Sequence, residues 1–148
     1  MNTTKLLETL GENINLDLAL SEHKTCSVIF DEDEVIFEEN NNQLFIYAVL
    51  GTSIGHEELY EDLLSYSNLG ANTGNASIGL DKDRNEFLMY RILTGNMEYE
   101  EFQDILVLFI KSLRYWKNWL SNPAKPDNQF SNDDNQTAMD LLKDGHLV

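Results

Sequence analysis

Basic residues are scarce in this chain: 10 Lys and Arg stand against 26 Asp and Glu, and the formal net charge over 148 residues is −16. Such a surface repels phosphate backbones, so nucleic acid is disfavoured as a partner from the start. It also keeps copies of a sticky protein apart, although charge alone does not establish stickiness. Cysteine is nearly absent. With only Cys26 there is no internal disulfide and no multi-cysteine metal site, which fits a reducing compartment. Long apolar runs are missing too. The longest that holds no polar side-chain atom at all, from Ile105 to Ile110, is far too short to cross a bilayer. The opening residues, Met1-Asn2-Thr3-Thr4-Lys5-Leu6-Leu7-Glu8, lack the basic start and apolar run of a signal peptide. The expectation is a cytoplasmic protein without stable membrane insertion.

Catalytic chemistry is also hard to find. His23, His56 and His146 are scattered over a loop, a helix start and the C-terminal segment, with no convergence for metal binding or proton transfer. Cys26 lies in a strand pattern, which reads as a buried small apolar residue rather than a nucleophile. Asp81-Lys82-Asp83-Arg84-Asn85 resembles the opening of an EF-hand loop. That loop needs glycine at its sixth position and glutamate at its twelfth, and Glu86 and Ile92 stand there instead. A hairpin turn is the reading. Gly70-Ala71-Asn72-Thr73-Gly74 lacks the lysine and spacing of a phosphate loop, and its helix comes before it rather than after. Acidic pairs abound, and nothing singles one out. No catalytic, cofactor or metal site is expected, and the chain is read as a non-enzyme.

What is present is a foldable amount of apolar residue, 42% hydrophobic and 10% aromatic. Leu6, Leu7, Leu10 and Ile14 recur at helical spacing, with Thr3 or Thr4 available as a cap and Gly11 expected to weaken or end the last turns. Three strand patterns follow: Thr25 to Phe30, Val35 to Glu39 and Gln43 to Leu50. Asp31–Glu34 and Asn40–Asn42 form the turns between them, asparagine being tolerant of left-handed backbone. The third strand is apolar on both faces, Leu44, Ile46, Ala48 and Leu50 on one and Phe45, Tyr47 and Val49 on the other. A sheet with one wet face should alternate, so both faces are expected to be covered, by a helix of this chain, a second copy or a bound partner. A second helix spans about His56 to Asn68, with Leu59, Tyr60, Leu63, Leu64 and Tyr66 giving it a broad apolar surface. Strands from Ala76 to Leu80 and Glu86 to Leu93 follow. The third helix, about Glu98 to Leu120, carries the stripe Phe102, Ile105, Leu106, Phe109, Leu113, Trp116 and Leu120, with Trp119 and Tyr115 off it.

The predicted fold is thus α+β, in the order helix, three strands, helix, two strands, helix, with a five-stranded, mainly antiparallel twisted sheet. Residues 1–120 form the folded domain. Residues 121–148, with Pro123, Pro126 and a run of Asn, Asp and Ser, read as a polar mobile tail in which Ala138 to Leu142 forms a helical turn.

Several stretches resemble the class I type III secretion chaperones, the Tir chaperone (CesT-like) family. They are Leu16-Asp17-Leu18, Cys26-Ser27-Val28-Ile29-Phe30-Asp31 and Leu44-Phe45-Ile46-Tyr47-Ala48-Val49-Leu50-Gly51. Most telling is Leu63-Leu64-Ser65-Tyr66-Ser67-Asn68-Leu69 followed by Gly74-Asn75-Ala76-Ser77-Ile78-Gly79-Leu80-Asp81. Glu101-Phe102 opening a long helix with a tryptophan near its end also fits. The resemblance covers about Leu6 to Leu120, and it departs from the family where paired glycines are usual and this chain has Gly74-Asn75. It implies a bacterial homodimer with Leu59, Leu63, Tyr66, Ile78 and Leu80 near the two-fold interface. It implies binding of the non-globular N-terminal region of one or more secreted effectors, kept soluble and export-competent, and docking to the secretion ATPase. Candidate effector contacts are Leu6 and Leu10 on the first helix and Phe37, Phe45 and Tyr47 on the sheet. Read from the residues alone, two alternatives stand beside this: a small ligand-binding domain or enzyme with a pocket against the sheet, and an adaptor for a folded partner.

Overall fold

The alternation and helical spacing become elements close to where they are expected. The computed structural model describes residues 1–126, 141–142 and 145–147. Its elements are α1 (Thr3–Ile14), β1 (Thr25–Phe30), β2 (Asp33–Asn40), β3 (Gln43–Thr52), α2 (Tyr60–Ser67), β4 (Ser77–Asp81), β5 (Glu86–Thr94), α3 (Tyr99–Ser121) and β6 (Gly145–Leu147). The sheet order is β4-β5-β3-β2-β1-β6. The pairs β1–β2, β2–β3, β4–β5 and β1–β6 are all antiparallel. The helix–strand order and the first five strands are as expected. The sixth strand is an addition, made by the C-terminal segment. The Ala138–Asp140 part of the expected helical turn lies outside the described residues, while Leu141 and Leu142 are helical and buried.

The described residues gather into two compact units, and β3, β5 and α3 each contribute to both. The first comprises Met1–Tyr47, Ile92–Val107 and the described part of Asn135–Val148. Here Leu6, Leu7, Leu10 and Ile14 of α1 are all buried. So are the alternate residues Cys26, Val28 and Phe30 of β1, Val35 and Phe37 of β2, and Leu44 and Ile46 of β3. Phe37 packs on Phe102 of α3 with ring centroids 6.2 Å apart. The N-cap position of the helix is Asn2, one residue before the first expected cap, and its side chain does not cap the helix. Its amide instead donates to the Met97 carbonyl (2.9 Å) and accepts from the Met97 N–H (3.2 Å). Gly11 does not end the helix. It lies where the returning chain crosses closest: a Cβ there would strike the Leu16 carbonyl oxygen and lie 3.2 Å from the Leu18 nitrogen. Asn15, left-handed at φ 58°, ends the helix instead. The β2–β3 turn is Asn41-Asn42, both left-handed at φ 50° and 60°, as a tight hairpin requires.

The second unit comprises Ala48–Arg91 and the described part of Leu108–Asp134. Trp116 is its largest fully buried side chain. Its indole N–H donates to the Asn72 carbonyl at 3.0 Å, and its ring meets Tyr66 and Trp119 at 5.6 and 5.2 Å. Trp119, off the expected stripe, is buried as well, because the indole N–H donates to the Ala124 carbonyl as the chain turns back after α3. The loop before β4 takes left-handed backbone at both Gly74 (φ 59°) and Asn75 (φ 62°). Asparagine thus serves where the resembled family carries a second glycine. Gly74 itself is held by space, since a Cβ there would strike the Ser112 hydroxyl and lie 3.0 Å from Leu108 Cγ.

Candidate dimer and cargo surfaces

In the second unit, α2 is only two turns long, extended at its N-terminal end by a 3-10 turn over Glu57–Leu59. Ser67 ties its end to the next strand, its hydroxyl accepting from the Ile78 N–H at 2.8 Å. Between helix and strand opens an apolar hollow of about 100 Å³, lined by Tyr60, Leu63, Leu64, Ile78, Gly79, Leu80 and Phe87. Tyr60 meets Phe87 edge-on at 5.7 Å. The lining carries no charged side chain, so the hollow suits an apolar knob rather than a polar substrate. Around it large apolar groups stand in water: Leu64 is 69% exposed and Leu80 41%. Leu69 is 93% exposed and holds a left-handed φ of 55°, a conformation that costs a branched residue energy.

Of the residues expected at a dimer interface, Leu63, Ile78 and Leu80 come together on this hollow. Leu59 is buried beside them in sequence and Tyr66 packs into the tryptophan cluster. The expected set therefore mixes residues with opposite exposure. Leu59, Leu63 and Ile78 face the unit's own interior, and Leu80 faces out. Leu64 and Leu69, the most exposed large apolar residues among those described, were not among the interface candidates. Leu64 belongs to the apolar run on α2, but helical periodicity alone does not say which side of so short a helix is covered.

The expected effector contacts do not form one surface. Leu6, Leu10 and Phe37 are core residues of the first unit, at 2%, 0% and 0% exposure, on the apolar stripe of α1 and the inward alternation of β2. In this conformation they offer nothing to a partner. Phe45 and Tyr47 alternate with the buried Leu44 and Ile46 and so lie on the opposite face, half-buried. There Tyr47 pairs with Ile36 in register, and its hydroxyl donates to Glu38 Oε2 at 3.3 Å. The outer face of β3 is thus only partly covered by the chain itself. Val49 continues it in the second unit, at 39% exposure.

The remaining chemistry is structural. Burial raises the Cys26 thiol pKa above its ordinary value, with the Ala19 backbone hydrogen bond working the other way. The Asp81 carboxylate organises the β4–β5 hairpin, accepting from the backbone N–H groups of Arg84 (3.1 Å) and Asp83 (3.0 Å) and from the Arg84 guanidinium (3.1 Å). Among the described residues no group of His, Cys, Asp and Glu side chains is placed to hold a metal ion. Among them no helix is long and apolar enough to cross a membrane.

This arrangement of helices and strands is one already seen in solved complexes. A chain of the ExsC–ExsE complex superimposes with a TM-score of 0.71 at 21% identity, over 82% of this chain and 96% of that one. A chain of the HopA1–SchA chaperone–effector complex gives 0.67 at 16% identity, over 78% and 93%. One of the ExoU–SpcU type III secretion complex of Pseudomonas aeruginosa gives 0.59 at 16%, over 79% and 93%. At such identities these matches define a fold. Membership comes from the sequence: residues 5–117 match the Tir chaperone protein (CesT) family, and the chain belongs to it. No curated protein matches it closely enough to count as a relative.

Proposed function

We propose that this protein is a type III secretion chaperone that binds the non-globular N-terminal region of one or more effectors and keeps it soluble and export-competent. It acts by binding and not by catalysis, as a homodimer in the bacterial cytoplasm, and hands its cargo to the secretion ATPase. The observation that carries this reading is the exposure of Leu64 and Leu80 on an apolar hollow, in a chain of net charge −16 that belongs to the Tir chaperone family. Isolated exposed leucines are ordinary, whereas a cluster rimming a charge-free hollow marks a protein contact. The acidic surface keeps that contact selective by opposing indiscriminate association.

The two surfaces divide the work. The α2–β4 hollow takes a second copy, whose own Leu64 supplies the knob, with Leu59, Leu63, Tyr66 and Ile78 supporting the interface from within. Cargo runs over the outer face of the first unit's strands, where Phe45 and Tyr47 receive alternate side chains of an extended segment. Residues 1–120 carry both surfaces. Co-expression tests the reading: the chaperone should co-purify with an effector encoded beside it and solubilise its N-terminal ~100 residues without that segment becoming compact. A stable complex formed only with a folded domain would favour an adaptor, and would end the chaperone reading.

A further inference from the structure

Without the last residues of the chain, β1 would be an open edge of the sheet, since β2 lies on its other side. β6 closes it, with Val28 opposite Leu147, Ile29 opposite His146 and Phe30 opposite Gly145. Just before this strand, Leu141 and Leu142 are 2% and 1% exposed, as deeply placed as the leucines of α1. Gly145 is seated so tightly that a Cβ would lie 3.0 Å from both Ile14 Cδ1 and Phe30 Cε1. The β1 edge therefore accepts a strand of recognisable chemistry: two adjacent apolar residues, then, three positions on, a glycine opposite Phe30.

We propose that the C-terminal segment is an internal place-holder, which occupies the β1 edge in the cargo-free chaperone and is displaced when an extended effector segment takes the same edge. The inference rests on the chaperone reading above and deepens it: besides the outer face marked by Phe45 and Tyr47, it names a second place where a stretch of the same extended cargo docks, and what that stretch must displace. An unpaired edge strand is a template for indiscriminate pairing. A protein that must admit foreign strands there cannot block it for good with prolines or inward charges. A tethered strand covers the edge reversibly, with the tether supplying a high local concentration. Its ladder is short, three residues against ten in β3, so a longer strand with side-chain contacts of its own outcompetes it. Casual peptides do not. The device thus turns an aggregation hazard into a selective site.

The test uses the full-length chain, as wild type, as Leu141→Asp/Leu142→Asp and as Gly145→Val. Gly145→Val keeps both leucines and maintains the test should the double variant fail to fold. Hydrogen exchange of the peptide covering Thr25–Phe30 should speed up at least tenfold in both variants. A labelled peptide of residues 138–148, added in trans, should bind them at least tenfold more tightly than it binds the wild type. Unchanged exchange, or equal peptide binding, overturns the proposal. Protection of β1 that rises with protein concentration also overturns it, by showing that the strand comes from a second copy. The N-terminal fragment of the co-purified effector supplies a last arm, and it should bind the variants more tightly and restore protection to β1. Equal binding by all three chains defeats the place-holder and leaves the chaperone reading standing. If no chain captures an effector fragment, the chaperone reading itself falls, and the displacement with it.

Discussion

In the unit built on α1 every apolar residue of that helix is buried, whereas in the unit built on α2 Leu63 is the helix's only buried residue. Both helices carry apolar residues at helical spacing, so pattern does not separate them. What differs is what lies opposite. The α1 stripe is buried in the same unit as the inner residues of β1, β2 and β3, where Phe37 and Phe102 are in contact. On α2, Leu64 stands in water, as Leu69 does just beyond the helix. The lesson is that an apolar stripe states a need for cover, and only the surrounding chain shows whether the protein meets that need itself or leaves it to a partner.

The largest effect expected from attacking this contrast falls on the closed unit. Phe37→Ala removes a fully buried ring from its contact with Phe102 and should lower stability by about 3–5 kcal/mol, read as a drop in the urea midpoint. A midpoint that hardly moves would mean that the core is not closed as described. On the open unit, Leu64→Asp should leave the folded chain within about 0.5 kcal/mol of its own stability. It should also reduce the mass in light scattering from about twice 17.0 kDa to one chain. A dimer that persists would remove the hollow from the interface. Leu63→Asp is a poorer probe, because that residue is buried within its own unit and its loss confounds folding with assembly.

On the outer sheet face, the double change Phe45→Ala/Tyr47→Ala should weaken capture of the effector segment roughly tenfold or more, since aromatic anchors dominate such contacts. Retained affinity with an intact fold would move the cargo elsewhere. A subtler consequence of the closed core is slow chemistry at Cys26. Burial holds its thiol above the ordinary range, so alkylation of the native protein at pH 8 should lag well behind that of the denatured chain. Equal rates would show the first unit to be open.

The smallest effect belongs to Asp81, whose carboxyl is held below its ordinary pKa chiefly by the Arg84 backbone N–H and then by the Arg84 guanidinium. A lowered carboxylate pKa stabilises the fold above the unfolded value, and that contribution disappears as pH falls through the folded one. The gap in melting temperature between wild type and Asp81→Asn, slight at neutral pH, should therefore close at low pH. A gap that persists in acid would refute the assignment.

Much of the fold can be read without coordinates. The alternation of Cys26, Val28 and Phe30, the Asn41-Asn42 turn and the Phe102–Leu120 stripe are local signals, and each becomes the expected element. Gly11 misled because a glycine in a helix reads as a weak point, while here it marks the close approach of Leu16 and Leu18. The candidate surfaces were legible only as composition. Leu6, Leu10, Phe37, Phe45 and Tyr47 are equally apolar, yet the first three turn inward and the last two lie on the other face of the sheet.

Residue order was enough to establish the strand and helix succession, the hairpin turns and membership of the Tir chaperone family, because backbone preference and period act between neighbours a few positions apart. Which greasy side chains remain for a partner, and that residues 145–147 return to cover β1, depend on contacts between residues far apart in the chain. Solvent access at any one side chain is a property of everything packed around it, and that is settled only when the chain has folded.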